Sequence, residues 1–291
     1  MSTSTTIECL YEPITYTMNL NGKHTRRLLI KYVQNMIGND NHPVTKLIEN
    51  DINYFHVASL VIDDIQDESE KRRGEPCAYK IFGVASTINA GYLQCFTLLN
   101  SIPHKYPTEI SSDVQSYVIS ALEKIHIGQG CDLLWTKTHT IPTTEEFLQM
   151  IDNKTGVLFK LIGQLCFLTL GNMHTVTDEN CHNILLLLQM MGRFFQIRDD
   201  YINITSPAYW RLKVFCEDFD EKKVSYLFVR HKENTGSDEL YQELFAKDKM
   251  THLYKMYLYE QMFNAKILHQ VYLELDHYKN EIIKLENIIM Q

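Results

Sequence analysis

The chain has 291 residues, 45% hydrophobic and 22% charged, which are globular values that exclude disorder and collagen-like structure. Its 28 basic and 36 acidic residues leave a net charge of −8, and a chain of that sign repels phosphate backbones, so broad nucleic-acid binding is not expected. Any anionic ligand has to be held locally, by a few lysines and arginines or through bridging cations.

Met1 to Glu8 is polar, with neither a cationic start nor an apolar core, so no secretory signal is expected there. Gly22-Lys23-His24-Thr25-Arg26 places Lys23 and Arg26 three apart, on one face if the segment is helical. Asp51 to Asp67 carries apolar or small residues at Ile52, Phe55, Ala58, Ser59, Ile62 and Ile65, close to the i, i+3, i+4, i+7 template of an amphipathic helix. That helix runs into Asp63-Asp64-Ile65-Gln66-Asp67, and Lys71-Arg72-Arg73-Gly74 follows about one turn later. Pro142 followed by Thr143-Thr144-Glu145-Glu146 reads as a helix start, with Thr143 and Glu146 at capping-box spacing. Lys154-Thr155-Gly156 interrupts an apolar context, and Val157 to Leu170 follows with Lys160 and Gln164 inside it. Ile184 to Ile204 is a long helical pattern, apolar nearly all round at first, closing in Asp199-Asp200-Tyr201-Ile202-Asn203. Lys213 and Lys223 come shortly after, and Asp238 to Gln291 is again amphipathic and helical.

With only 12 glycines and 7 prolines, breaks are few: Gly38 to Pro43, Ser101 to Pro107, Thr138 to Pro142, Gly171 to Thr177, Ser206 to Pro207 and Glu233 to Ser237. None is long or Ser/Gly-rich enough to be an interdomain linker. The expectation is one all-α domain over residues 1–291, without a transmembrane segment, since Ile184 to Met191 is too short to span a bilayer. The seven cysteines form no C-x-x-C pair, and an odd, scattered set reads as reduced packing thiols of a cytoplasmic chain.

The two acidic clusters carry the chemistry. Asp63 and Asp67 are i, i+4 neighbours with Asp64 beside them; like charges at that spacing destabilise a helix unless something cationic compensates. Asp199, Asp200 and Asn203 repeat the pattern, and hard oxygen ligands at helical spacing suit Mg²⁺. One such cluster is as readily a solvated charged turn; two, each closing an apolar helix, are harder to set aside. Lysines and arginines taken singly are ordinary surface residues, and His56 alone is an ordinary core histidine.

In order along the chain, these motifs resemble the trans-isoprenyl diphosphate synthases, most closely the short eukaryotic geranylgeranyl diphosphate synthases. The resemblance runs from Glu12-Pro13 to about Arg230. It rests on Gly22-Lys23-x-x-Arg26, on His56-x-Ala58-Ser59-Leu60-x-Ile62-Asp63-Asp64-Ile65-x-Asp67, and on Arg72-Arg73-Gly74. Ser86-Thr87-Ile88-Asn89, Gly128-Gln129-Gly130-x-Asp132, Lys154-Thr155-Gly156, Phe195-Gln196-Ile197-Arg198-Asp199-Asp200-Tyr201, Lys213-x-Phe215-Cys216-Glu217-Asp218 and Lys223-x-Ser225 complete it. The departures are Thr136-Lys137 after Trp135, Lys222 for a glycine, Leu227 and Ala85 for prolines, and Tyr79 for a histidine.

The resemblance implies a large helical bundle of the isoprenoid synthase type with a central apolar cavity. It implies three Mg²⁺ ions per site on Asp63, Asp64, Asp67, Asp199, Asp200 and Asn203, with Asp63, Asp67, Asp199, Lys154 and Lys213 central to catalysis. Arg72, Lys154, Thr155, Gln196, Lys213 and Lys223 would bind an allylic diphosphate, and Lys23, Arg26, His56 and Arg73 the diphosphate of isopentenyl diphosphate. Phe55, Ala58 and Ser59, one and two turns before Asp63, would set product length, with geranylgeranyl diphosphate as the expected product. The alternative is a terpene synthase of the same descent, which ionises a finished prenyl diphosphate to a cyclic or linear hydrocarbon. A non-catalytic partner subunit ranks last, because both acidic clusters are intact. A homodimer or higher homo-oligomer is the expected assembly.

Overall fold

The computed structural model describes residues 3–20, 25–38, 44–170, 178–210, 214–246 and 250–290. The chain divides into two compact units: Met1–Glu123 with Leu158–Leu186, and Lys124–Val157 with Leu187–Ile289. In order, the helices are α1 (Thr3–Leu10), α2 (Glu12–Asn19), α3 (Thr25–Met36), α4 (Thr45–Gln66), α5 (Ala78–Phe82), α6 (Val84–Lys105), α7 (Thr108–Thr138), α8 (Thr144–Ile151), α9 (Val157–Leu170) and α10 (Asp178–Thr205). They continue as α11 (Pro207–Trp210), α12 (Glu217–Asp220), α13 (Tyr226–Thr235), α14 (Glu239–Gln242), α15 (His252–Asn264) and α16 (Ile267–Ile289). The expected all-α architecture is borne out. Among the described residues, extended structure is limited to a hairpin of β1 (Lys71–Arg72) and β2 (Glu75–Pro76), and no helix is long and apolar enough to cross a membrane.

In the first unit α4 packs on α6. Gly91 favours the close approach: a Cβ there would meet Ile62 Cδ1 at 2.8 Å, so a larger residue would have to displace the Ile62 side chain. Ile14, Val57, Val61, Ala78 and Ala90 form a small core beside that contact. Asp51, on α4 twelve residues before Asp63, is buried, and it accepts from Lys105 Nζ at 2.7 Å and the Tyr106 hydroxyl at 3.0 Å. Two hydrogen bonds are what a buried carboxylate needs, and here they tie the start of α4 to the end of α6. The expected break at Ser101 to Pro107 is narrower than the sequence reads: α6 continues through Pro103 to Lys105. Proline leaves the carbonyl four residues earlier without its helical donor. That carbonyl, Leu99, instead accepts from Gln115 Nε2 at 3.3 Å, so the helix survives.

The second unit has a core drawn from α8, α10 and α12 to α16, with Ile197, Phe219, Leu227, Phe228, Tyr241 and Val271 all essentially unexposed. The capping box that starts α8 is present: Glu146 N donates to Thr143 Oγ1 at 3.2 Å, and Thr143 N donates to Glu146 Oε2 at 2.8 Å. Such a box contributes about 1 kcal/mol. Lys222, standing where the resemblance has glycine, adopts φ +54°, the left-handed conformation that glycine enters freely and that costs other residues about 1–2 kcal/mol. Tyr241 helps to hold it, its hydroxyl donating to the Lys222 carbonyl at 3.1 Å.

Candidate functional site

Asp67 caps α4, and its N–H donates to the Asp63 carbonyl at 2.9 Å, so the i, i+4 geometry expected of the pair is real. Three carboxylates therefore stand at the C-terminal, partially negative end of a long helix, where negative charge is disfavoured. Part of the compensation comes from the hairpin. Its turn residues Arg73 (φ +57°) and Gly74 (φ +90°) both lie at positive φ, as a two-residue type I′ turn requires. The turn brings Arg72 to Asp64, where Nε donates to Oδ1 at 2.8 Å and Nη2 bonds the same oxygen; Nη2 lies 3.5 Å from Asp63 Oδ2. Asp64 is buried, and burial pushes its carboxyl up from the ordinary value against the pull of Arg72 and of the Cys77 thiol. Asp63 and Asp67 are only partly buried. Within the pair, then, Asp64 is committed to Arg72, and Asp63 is the more exposed of the two.

Beside this lies a cationic cluster. His56 titrates well below its ordinary value, chiefly because it is desolvated, and then because Arg26, Arg72 and Arg73 surround it. Burial, then the charge of Arg73, brings the Arg26 guanidinium down to about 10. Arg26 Nη2 donates to Asn53 Oδ1 at 3.2 Å, and Arg73 Nη1 to the Leu20 carbonyl at 2.7 Å. Three guanidiniums thus act on one imidazole, a local concentration of positive charge in an acidic chain. The sequence-predicted Arg26, His56, Arg72 and Arg73 are thus brought together; Lys23 lies outside the described residues.

The sign of the His56 shift sets a pH dependence. Below about pH 6.5 the unfolded chain takes a proton that the native imidazole refuses, so stability falls as pH drops through 6.5 towards the folded value. Urea unfolding from pH 7.5 to 5 should show wild type losing up to about 1.4 kcal/mol per pH unit more than His56→Asn in that window. Parallel curves would contradict an imidazole kept neutral by its surroundings.

In the second unit, Asp199 accepts from the Tyr209 hydroxyl at 3.2 Å on both oxygens and is partly buried. Asp200 is buried and turned inward: it accepts from Gln196 Nε2 at 2.9 Å and from Tyr226 N at 2.8 Å, the first amide of α13. Burial pushes its carboxyl up to about 7, those two donors oppose the shift, and Asp199 and Asp132 add to it. The arrangement repeats that at Asp63 and Asp64, with one aspartate offered and its neighbour held inside. Asn203, expected as a ligand, is buried and linked to Asp218, its Nδ2 donating to Oδ1 at 2.9 Å. Lys154 Nζ meets Asp132 Oδ2 at 2.7 Å, and the Thr155 hydroxyl donates to Gln196 Oε1 at 2.8 Å. Lys223 pairs with Glu221 at 2.7 Å; Lys213 lies outside the described residues. Sequence reasoning assigned no role to Asp132, although Gly128 and Asp132 at i, i+4 on α7 were a usable signal. A Cβ on Gly128 would stand 2.5 Å from Lys154 N, so the glycine admits the backbone that carries the lysine which Asp132 then holds.

Among the described residues no three His, Cys, Asp or Glu side chains converge into a ready metal cage. Mg²⁺ takes one or two protein carboxylates and completes its shell with water and phosphate oxygens. The donor chemistry of Asp63 with Asp67, and of Asp199, fits such an ion. The seven cysteines are free thiols, and Cys77, Cys166 and Cys216 are buried.

A family model described as polyprenyl synthetase matches residues 7–262. A geranylgeranyl pyrophosphate synthase of Aspergillus flavus is 37% identical over 232 residues, covering 78% of this chain and 64% of that protein. A sesterterpene synthase of Neocamarosporium betae is 36% identical over 217 residues, covering 75% of this chain and 28% of that protein. The chain thus spans less than two thirds of the length of either relative. A crystal structure of a geranylgeranyl pyrophosphate synthase superposes with a TM-score of 0.82 at 22% identity, covering 95% of this chain and 84% of that one, so the fold is shared.

Proposed function

This chain belongs to the polyprenyl synthetase family, and on that premise we propose that it is a Mg²⁺-dependent prenyltransferase that adds isopentenyl diphosphate to an allylic diphosphate to make geranylgeranyl diphosphate. The observation that carries the condensing reading is the mutual electrostatic influence of Arg26, His56 and Arg73, a cationic group that would take a second diphosphate on residues distinct from the carboxylates that would take metal. An enzyme that only ionises one diphosphate has no use for a second such group.

Asp63, Asp67 and Asp199 would bind the metal. Mg²⁺ held there would neutralise the charge growing on the departing pyrophosphate. Arg72, Lys154, Thr155 and Gln196 would orient the allylic diphosphate, and Arg26, His56 and Arg73 the isopentenyl diphosphate, so that its double bond meets the allylic cation at fixed distance. Proton loss to the departing pyrophosphate would end the cycle. Water has to be excluded, since it would capture the cation as an alcohol.

Incubation with farnesyl and isopentenyl diphosphates and Mg²⁺ should yield geranylgeranyl diphosphate. The sesterterpene synthase match gives the second reading its support; a hydrocarbon released from geranylgeranyl diphosphate alone would establish that reading instead.

Product length would be set along α4, where each turn rises about 5.4 Å, roughly one isoprene unit. Phe55 and Ala58 are fully buried, and the Ser59 hydroxyl folds back onto the His56 carbonyl at 2.8 Å, leaving small side chains one turn before Asp63. Ser59→Phe should move the main product to farnesyl or geranyl diphosphate, read by chromatography of the dephosphorylated alcohols. An unchanged distribution would refute the ruler.

A further inference from the structure

Between α8 and α9 the backbone makes a single π-helical turn, Asp152–Gly156, and it carries Lys154 and Thr155. Such turns are rare, sit mostly inside α-helices and are frequent at functional sites. This one is gripped from two helices of the second unit. On α7, Gly128 admits the Lys154 backbone and Asp132 holds its ammonium at 2.7 Å. On α10, Arg193 forks onto Asp152, Nε to Oδ1 at 2.8 Å and Nη2 to Oδ2 at 2.6 Å, and Gln189 Nε2 reaches Oδ2 at 2.6 Å. Gln196, one turn further along, takes the Thr155 hydroxyl and donates to Asp200. Gln189, Arg193, Gln196 and Asp200 follow one another at spacings of 4, 3 and 4, a single stripe of α10 whose first three members contact the turn and whose last belongs to the acidic cluster.

From this juxtaposition we infer that Asp152 and Arg193 are positioning residues for the allylic diphosphate: their bidentate pair sets the phase of the π turn on α10, and with it the placement of Lys154 and Thr155 relative to Asp199 and Asp200. The inference rests on the reading of those residues given above. The side chains are 12% and 28% exposed, a regime in which an ion pair adds little net stability but strongly defines geometry. A guanidinium does this through its planar fork; a lysine ammonium, a point charge, does not.

Binding of farnesyl diphosphate with Mg²⁺, and separately of isopentenyl diphosphate, is measured by calorimetry for wild type, Asp152→Asn, Arg193→Lys and the double variant Asp152→Leu with Arg193→Leu. Circular dichroism confirms folding. Farnesyl diphosphate should bind at least tenfold more weakly to every folded variant. Isopentenyl diphosphate should bind within twofold of wild type, because Arg26, His56 and Arg73 stand on other elements. Should the single variants fail to fold, the double variant, which leaves no unpaired charge, carries the test. Wild-type affinity for farnesyl diphosphate in the double variant, or parallel weakening of both ligands, overturns the inference alone. A wild type that binds neither diphosphate overturns the functional reading and the inference with it.

Discussion

Asp63→Ala and Asp199→Ala should each lower turnover at least about a thousandfold, roughly 4 kcal/mol of transition-state stabilisation, while the helical signal stays unchanged. Asp63 sits at the unfavourable end of α4 beside another carboxylate, and its contact with Arg72 is a long one at 3.5 Å. Removing a charge there relieves repulsion, and alanine is the best helix former, so stability should hold or rise by a few tenths of a kcal/mol. Among the described residues, Asp199 gives up the Tyr209 hydroxyl, at 3.2 Å. The reaction loses a metal ligand in each case. Pyrophosphate release with saturating Mg²⁺, alongside circular dichroism, reads both quantities, and full activity in either variant would remove that aspartate from the site. Asp64→Ala should behave differently. It leaves the Arg72 guanidinium without the carboxylate it bonds, so stability falls together with activity.

Gly128→Ala should be destabilising and should weaken use of the allylic substrate at least tenfold, against the usual sign for a helix interior. Replacing glycine by alanine within a helix ordinarily gains about 1 kcal/mol. Here the added Cβ would lie 2.5 Å from Lys154 N and 2.9 Å from Lys154 Cα. These are backbone atoms of a turn already held by Arg193 and Gln189 through Asp152, so they cannot swing aside as a flexible side-chain tip would. Overpacking of this kind costs about 1–3 kcal/mol, which exceeds the gain. Gly130, two residues on, is the internal control: a Cβ there meets nothing within 4 Å, so Gly130→Ala should stabilise by about 0.5–1 kcal/mol and leave substrate use unchanged. Thermal unfolding and kcat/KM for farnesyl diphosphate separate the two. Equal behaviour of the two variants would show that the π turn yields freely.

Much of this molecule can be read without coordinates. The helix ending at Asp63 and Asp67, the helix ending near Asp199 and the capping box at Thr143 all follow from local periodicity and spacing, because a helix brings together residues three and four apart whatever surrounds it. The ordered motifs also carry the family. Pro103 misleads, since proline reads as a stop, and only Gln115, twelve residues on, supplies the missing donor. Lys222 likewise hides a left-handed residue behind a side chain that rarely takes one.

Which member of each aspartate pair is offered, and which is held inside, depends on distant partners: Arg72 on a hairpin for Asp64, the Tyr226 amide for Asp200. The π turn and its grip by Asp132, Arg193 and Gln189 are of the same kind. Local spacing specifies helices and the faces of helices. Burial, and the partner that each buried charge must find, come from contacts between segments far apart in the chain, and those exist only once the chain has folded.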